Sequence, residues 1–331
     1  MNEKLTFYYK NVRGLRTKSK NFFEGVVTSD FDAYCITETW LHSDIESVDY
    51  FPEAYNVFRS DRDYKAVGQR YGGGVLIAVS DAVPVLRRFD LEVYSECVWI
   101  EIKIAGGRHL LVGNYYLPPS MSSVEFGVVL HDLSSKLDPE KYEIVIFGDF
   151  NVPGTWWELQ DTSNVPSKAS HLVNFISFNG FGLGDLPANA CGNVLDVFFS
   201  NMDEHSIASV TEPLVPVDIW HVPFSVNLNI SKVAVRNISV ERFDYCKGDY
   251  LGLYRFLEAG SWDGVYSAAS VDIAVSELTD IVTEGMTRYI PRKVCRSRKY
   301  PVWFSFELKR VLRRKLHLHR LSRGSHAGNA D

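Results

Sequence analysis

The chain has no run approaching the ~18 consecutive apolar residues that a membrane-spanning helix requires, so no such helix is expected. It has no CxxC pair. Its five cysteines (Cys35, Cys97, Cys191, Cys246 and Cys295) are odd in number and scattered. That pattern argues against a disulfide framework and a zinc knuckle, and for a reducing intracellular compartment. Met1-Asn2-Glu3-Lys4 is not a basic stretch leading into an apolar one, so no secretory signal is expected. Internal repeats and low-complexity tracts are absent, as is the Asp-Asp pair that a polymerase would need. What is present is the composition of a soluble globular protein: 331 residues, 46% hydrophobic and 23% charged. The length suggests about two domains.

The net charge of −6 conceals an asymmetry. Residues 291–331 hold twelve Lys and Arg against Glu307 and Asp331, or 12 − 2 = +10; the remainder holds 23 basic and 39 acidic residues, or −16. A basic tail of this kind is either a solvated helix face or a contact for a polyanion such as nucleic acid.

Residues 1–232 read as short strands, turns and a few helices, and 240–331 as a mostly helical basic tail. Strand-like runs occur at 5–9, 32–37, 75–79, 98–104, 110–116, 143–147, 194–199 and 224–230. The pair at 98–104 and 110–116, joined through Ala105-Gly106-Gly107-Arg108, is a hairpin signal. Helical spacing occurs at 123–137, 170–178, 249–258, 270–289 and 304–321. Strands outnumber helices without regular β-α-β alternation. The pattern predicts an α/β protein with two packed sheets flanked by helices.

Polar residues recur where the apolar strands stop: Asn11, Glu38, then Asp149 with Asn151. Asp196 lies inside Val194-Leu195-Asp196-Val197-Phe198-Phe199, where a carboxylate requires a partner. Any one of these is explained as well by an Asx-turn or a helix cap. Their combination points to a site.

These residues stand in motifs that resemble the endonuclease/exonuclease/phosphatase superfamily over about residues 5–230. The motifs are Asn11-Val12-Arg13-Gly14-Leu15, Ile36-Thr37-Glu38-Thr39-Trp40-Leu41, Tyr116-Leu117-Pro118-Pro119, Gly148-Asp149-Phe150-Asn151, Leu195 to Ser200, and His221-Val222-Pro223-Phe224. Within that superfamily Glu38-Thr39-Trp40-Leu41, Phe58 to Arg62 with Gly72 to Val75, and the Tyr116 motif resemble the endonuclease of non-LTR (LINE-type) retrotransposons. Trp303–Leu316 is similar to the linker before the reverse transcriptase in those polyproteins. The chain then reads as an element's endonuclease half, truncated or standing alone.

The resemblance implies a four-layer α/β/β/α sandwich of two mixed sheets with a helical basic C-terminal segment. It implies a Mg2+-dependent DNA endonuclease, with Mn2+ as an alternative ion, that nicks one strand and leaves a 3′-hydroxyl to prime reverse transcription. Action on target DNA in the nucleus follows, with element RNA a further partner for the basic tail. Glu38, with Asn11 as a neutral oxygen donor, is expected at the metal, and Asp218 is a further ligand candidate. Asp149 would orient or deprotonate water, and Asn151 would contact a phosphate oxygen if the chain stays extended past Asp149. His221 would transfer a proton or contact phosphate, Asp196 would hold its ring, and Tyr116 would donate to the charge of the transition state.

Two departures stand out. Where the family usually has an aspartate before the terminal histidine, this chain has Trp220, with Asp218 the nearest acid. Arg13 replaces the acid that repair endonucleases often carry. Arg13, Arg59 and Arg62 are either phosphate contacts or structural pairs, and Gly72 to Gly74 read as turn formers. The competing readings are a phosphodiesterase or phosphatase for a small molecule or lipid on the same fold, and a decayed fragment that binds nucleic acid. Target sequence and oligomeric state are not encoded legibly.

Overall fold

Runs rich in Val, Ile, Leu and aromatic residues form two six-stranded sheets in the computed structural model, which describes residues 4–68, 71–152, 167–231, 240–295, 300–301 and 303–326. The strands are β1 (Leu5–Asn11), β2 (Ala33–Thr37), β3 (Tyr55–Ser60), β4 (Val75–Ser80), β5 (Val85–Arg87), β6 (Cys97–Lys103), β7 (His109–Tyr116), β8 (Glu143–Asp149), β9 (Gly182–Leu183), β10 (Asp196–Ser200), β11 (His205–Ser209) and β12 (Phe224–Leu228). The first sheet has the order β11-β12-β1-β2-β4-β3 and the second β5-β6-β7-β8-β10-β9. Each is mixed: β1 runs parallel to β2, β7 runs parallel to β8, and their other neighbours are antiparallel. The expected hairpin is β6–β7, with Gly106 and Gly107 at positive φ in its turn.

Alternation divides the side chains between three apolar layers. Phe7, Ile77, Ile100, Val112 and Phe147 fill the space between the sheets. On the outer face of the second sheet Trp99, Ile144 and Ile146 pack against α3 (Ser123–Lys136) and α4 (Ser167–Asn179) through Phe126, Leu130, Leu172 and Phe175. On the outer face of the first, Tyr8, Tyr34 and Leu76 meet Phe22 and Val26 of α1 (Ser19–Thr28). This is the expected α/β/β/α sandwich. Each fully buried aliphatic or aromatic side chain contributes about 1.5–3 kcal/mol. Both faces of β2 are covered and all five of its residues are buried, which is why it reads as a continuous apolar run. Asn114 ties the sheets together: its amide donates to the carbonyls of Ile36 and Leu76, both at 3.0 Å.

The chain divides into two compact units: Met1–Arg236 with Arg298–Asp331, and Asn237–Ser297. The smaller unit pairs β13 (Val240–Phe243) with β14 (Arg292–Cys295) and contains α5 (Tyr250–Ala259), α6 (Asp263–Tyr266) and α7 (Val271–Tyr289). The single-turn helix α2 (Tyr64–Val67) belongs to the larger unit, as does α8 (Phe306–His326). The helical tail expected over 240–331 is thus divided, because Phe304 and Leu312 are buried against Val27 beside Phe23 and Tyr300. A Lys315–Glu212 ion pair adds to this contact. Among the described residues no helix is long and apolar enough to cross a membrane.

Candidate active site

The inward parity of four strands aims polar side chains at one end of the sandwich. In β1 the odd residues Phe7 and Tyr9 face the other sheet, and Asn11 continues that row. In β8 Val145 and Phe147 face inward and Asp149 follows them; in β10 Phe198 is inward and Asp196 shares its face. In β7 Tyr116 continues the row of Leu110 and Val112. Asp196 stands directly opposite Asp149 in the antiparallel ladder, and Tyr116 is paired with Asp149 across the parallel one.

Two carboxylates opposed in this way are unfavourable unless other groups compensate. Asp196 is fully partnered. Its Oδ2 lies 2.8 Å from Nδ1 of His221, and its Oδ1 accepts from the Tyr9 hydroxyl at 2.8 Å. Tyr9 also meets Thr37 Oγ1 at 3.1 Å. Asp149 accepts from the Asn11 amide at 2.8 Å and from the backbone N–H of Asn151 at 3.1 Å. Asp149, Asp196 and His221 each offer a ligand atom within 4.8 Å of the others.

Electrostatics follows from burial and crowding. Asp149 is 1% exposed. Burial, then the charges of Asp196 and Glu38, push its carboxyl well above the usual carboxylate range, against the opposing effects of His221 and Asn11. For His221, burial favours the neutral ring. The Asp196 hydrogen bond and the charges of Asp196, Asp149 and Asp218 outweigh it and raise the imidazole to about 9. Burial raises Tyr116, assisted by the charge of Glu38 and a hydrogen bond to it.

Glu38 does not follow parity. In β2 the odd residues Ala33, Cys35 and Thr37 face inward, and an extended residue 38 would point outward. A left-handed φ of 51° at Glu38 turns the carboxylate back toward Tyr116 and into the field of Asp149. Its Oε2 accepts from the Trp40 indole at 2.9 Å. Asn151 also has φ 51°, so the chain does not stay extended past Asp149, and its side-chain amide donates to the Leu117 carbonyl at 3.0 Å. Asn11 bridges Asp149 and the loop after β1, with its Oδ1 accepting from the Arg13 N–H at 3.0 Å. Asp218 lies apart from the three-residue cluster. Its Oδ1 accepts from the N–H groups of Trp220 and His221, both at 2.8 Å, in a turn that presents the histidine. Trp220 is 40% exposed.

Several supporting groups escape sequence reasoning. Lys10 is 1% exposed and donates to the His221 carbonyl at 2.8 Å; burial lowers its proton affinity. A lysine continuing the apolar run 5–9 was its only signal. Arg62 forms a two-pronged pair with Glu96 at 2.9 and 2.6 Å and lies 5.5 Å from the centre of the Tyr116 ring. Glu96 accepts in turn from the Gly74 N–H at 2.7 Å. Arg59 pairs with Asp61. Arg59 and Arg62 are therefore structural, and Gly72 to Gly74 are turn formers with φ of 95°, 69° and 80°. Gly73 and Gly74 accept the N–H groups of Trp40 and Thr39, which secures the Glu38 turn.

A family profile described as the Endonuclease/Exonuclease/phosphatase family matches residues 10–225. The chain belongs to this family. Its endonuclease/exonuclease/phosphatase domain has the fold of the endonuclease domain of TRAS1, a telomere-specific non-LTR retrotransposon, with a TM-score of 0.54 and 18% identity over 70% of this chain and 100% of that one. The Xenopus laevis APE2 catalytic domain is similar at a TM-score of 0.53 and 16% identity, over 70% of this chain and 94% of that one. No curated protein sequence matches the chain. The domain thus combines a hydrolase fold with a buried cluster of two carboxylates and a histidine that suits a cation. The donors fit a hard divalent ion: they are mainly carboxylate oxygens, and the burial and neighbouring charge that push the Asp149 carboxyl upward are what an adjacent cation would offset.

Proposed function

We propose that the domain is a Mg2+-dependent DNA endonuclease, able to use Mn2+, that hydrolyses one phosphodiester linkage and leaves a 3′-hydroxyl for target-primed reverse transcription. The observation that carries this reading is the convergence of Asp149, Asp196 and His221 within 4.8 Å, with the hydrogen-bonded Glu38 and Tyr116 in their electrostatic reach. The retrotransposon context rests on the sequence motifs and is in keeping with the TRAS1 fold.

Glu38 and Asp149 would hold the ion, whose contribution is to neutralise phosphate charge and make bound water acidic. Asp149 sits where a carboxylate can orient the attacking water, and Asn11 fixes its angle. His221 has Nδ1 engaged by Asp196, so Nε2 is the atom left to meet a phosphate oxygen or pass a proton. Asp196 holds the ring and favours its charged form. Tyr116 donates its hydroxyl toward charge developing on the phosphate. The remaining amide hydrogen of Asn151 serves the same group.

Nicking of supercoiled plasmid with Mg2+, beside a panel of small phosphoesters and inositol phosphates, tests the reading. Nicked circles should form with the wild type and be lost with Glu38→Ala, Asp149→Asn and His221→Ala. Turnover confined to the small esters, or nicking that survives all three substitutions, would overturn it.

A further inference from the structure

Helix α8 of the larger unit carries positive charge on one face that no carboxylate among the described residues balances. Five arginines of the sandwich are held by carboxylates: Arg59 by Asp61, Arg62 by Glu96, Arg87 by Glu92, Arg88 by Asp90 and Glu101, and Arg108 by Glu143. Helix α8 carries seven Lys and Arg and one acid, Glu307. Arg310, Arg313 and Arg314 are exposed, and none has an ion-pair partner among the described residues. With exposed His317 they occupy positions i, i+3, i+4 and i+7, one helical face. The opposite side of the helix is anchored by buried Leu312 and Leu316, with Phe304 just before it, and by the Lys315–Glu212 pair. The ridge is thus a fixed part of the larger unit, presented outward from a body of opposite net charge.

We propose that the Arg310–Arg313–Arg314 face of α8 is a second, sequence-independent binding surface for the phosphate backbone of duplex DNA, separate from the catalytic cluster. The choice of duplex DNA rests on the nuclease reading above. Planar guanidinium groups match phosphate geometry and keep their charge at any physiological pH. Like charges brought together on one face are unfavourable without an anion, so the surface gains stability by binding one. Through docked α8, duplex held on the ridge remains attached to the unit that contains the cleavage site.

The test uses the full chain in EDTA, a fluorescein-labelled duplex and anisotropy over a series of KCl concentrations. Each phosphate contact contributes about 0.9 to the slope of log K against log salt. Arg310→Gln/Arg313→Gln/Arg314→Gln should therefore lower the slope by about 2.7 and weaken binding by about tenfold or more near physiological salt. Lys103→Gln/Lys136→Gln/Lys141→Gln, also exposed, should leave both unchanged. An unchanged slope in the arginine variant, an equal loss in the lysine control, or a loss limited to single-stranded RNA or anionic vesicles would overturn the proposal. Plasmid nicking by the same preparations separates the two readings. A wild type that nicks while the arginine variant binds normally removes only the ridge; a wild type that neither binds nor nicks removes the nuclease reading and the ridge with it.

Discussion

Replacing His221 by glutamine removes a titrating group whose environment is closely defined. The ring is buried, its Nδ1 is 2.8 Å from Asp196 Oδ2, and its affinity for a proton rises from the ordinary 6.5 to about 9. That interval corresponds to about 3 kcal/mol of preferential stabilisation of the charged ring in the folded protein. The folded state binds this proton more tightly than the unfolded one. Its contribution is therefore complete below pH ~6.5, declines as pH rises, and is lost above ~9. Asp149 is present in both proteins, so the main difference between them is the titration of the ring itself, with a smaller opposing change because the variant lacks the His221 charge that favours the ionised Asp149. Urea unfolding of both proteins in EDTA at intervals from pH ~6 to ~10 gives that difference directly. The wild-type advantage over His221→Gln should shrink by about 3 kcal/mol across this range. A difference that stays flat, or grows with pH, would refute the assignment of a charged imidazole held by Asp196.

Other substitutions probe the supports of the site. In Gly73→Ala the new Cβ would lie 1.9 Å from Glu96 Oε1 at a φ of +69°, and urea unfolding should show a loss of about 3 kcal/mol or more. A loss below about 1 kcal/mol would show that the Arg62–Glu96 pair yields easily. Glu96→Gln removes the carboxylate charge that faces the Arg62 guanidinium, whose side chain is 10% exposed, and should cost about 3 kcal/mol in the same measurement. Mg2+ at tenfold excess over its Kd should stabilise the wild type by about 1.4 kcal/mol in thermal melts and leave Asp149→Asn unmoved; equal shifts would place the ion elsewhere. Asp218→Asn keeps an oxygen for the N–H groups of Trp220 and His221 but removes the charge. Nicking by this variant should stay within about threefold of wild type, whereas Asp218→Ala should lose the turn and most activity. A large loss with asparagine would make the charge itself the requirement.

Much of this arrangement can be read from the residues because strand alternation carries it. Leu5 to Tyr9 is apolar but for Thr6, and Asn11, two residues beyond inward-facing Tyr9, had to point into the sandwich at its end. An aspartate between Leu195 and Val197 demanded buried partners, which proved to be His221 and Tyr9. Helix α1 was not legible: Gly25, two valines and Thr28 weaken it, and no side chain caps its start. Gly25 is there for contact, since a Cβ would lie 2.9 Å from Leu214 Cδ2, a neighbour distant in sequence. The division of the C-terminal region was also hidden. Phe304 and Leu312 look like any amphipathic stripe until Val27 is seen beneath them. Directing Asn151 to the same side as Asp149 requires an extended chain, and a single left-handed residue reverses that geometry.

Among the described residues, the four non-glycine residues at positive φ are Arg13, Glu38, Trp40 and Asn151, and all adjoin the candidate site. Such conformations cost about 1–2 kcal/mol each for ordinary L-residues, so the surrounding structure must enforce them. At Glu38 the reason is a conflict of parity. Thr37 faces inward to Tyr9, and the next residue of a regular strand would carry its carboxylate to the outer face, among Tyr34, Ile36 and Leu76. The left-handed turn resolves the conflict, and the hydrogen bonds around it hold it in place. Gly14 and Leu15 donate to the carbonyls of Glu38 and Thr39, while Thr39 and Trp40 donate to Gly74 and Gly73. The glycine loop is fixed in turn by Glu96 and Arg62, and Arg62 also lies against Tyr116. The carboxylate best suited to the ion thus depends on a buried ion pair and three glycines with no chemistry of their own. Substitutions at Gly73 or Glu96 should therefore impair the cluster as well as the fold, although neither residue touches a phosphate.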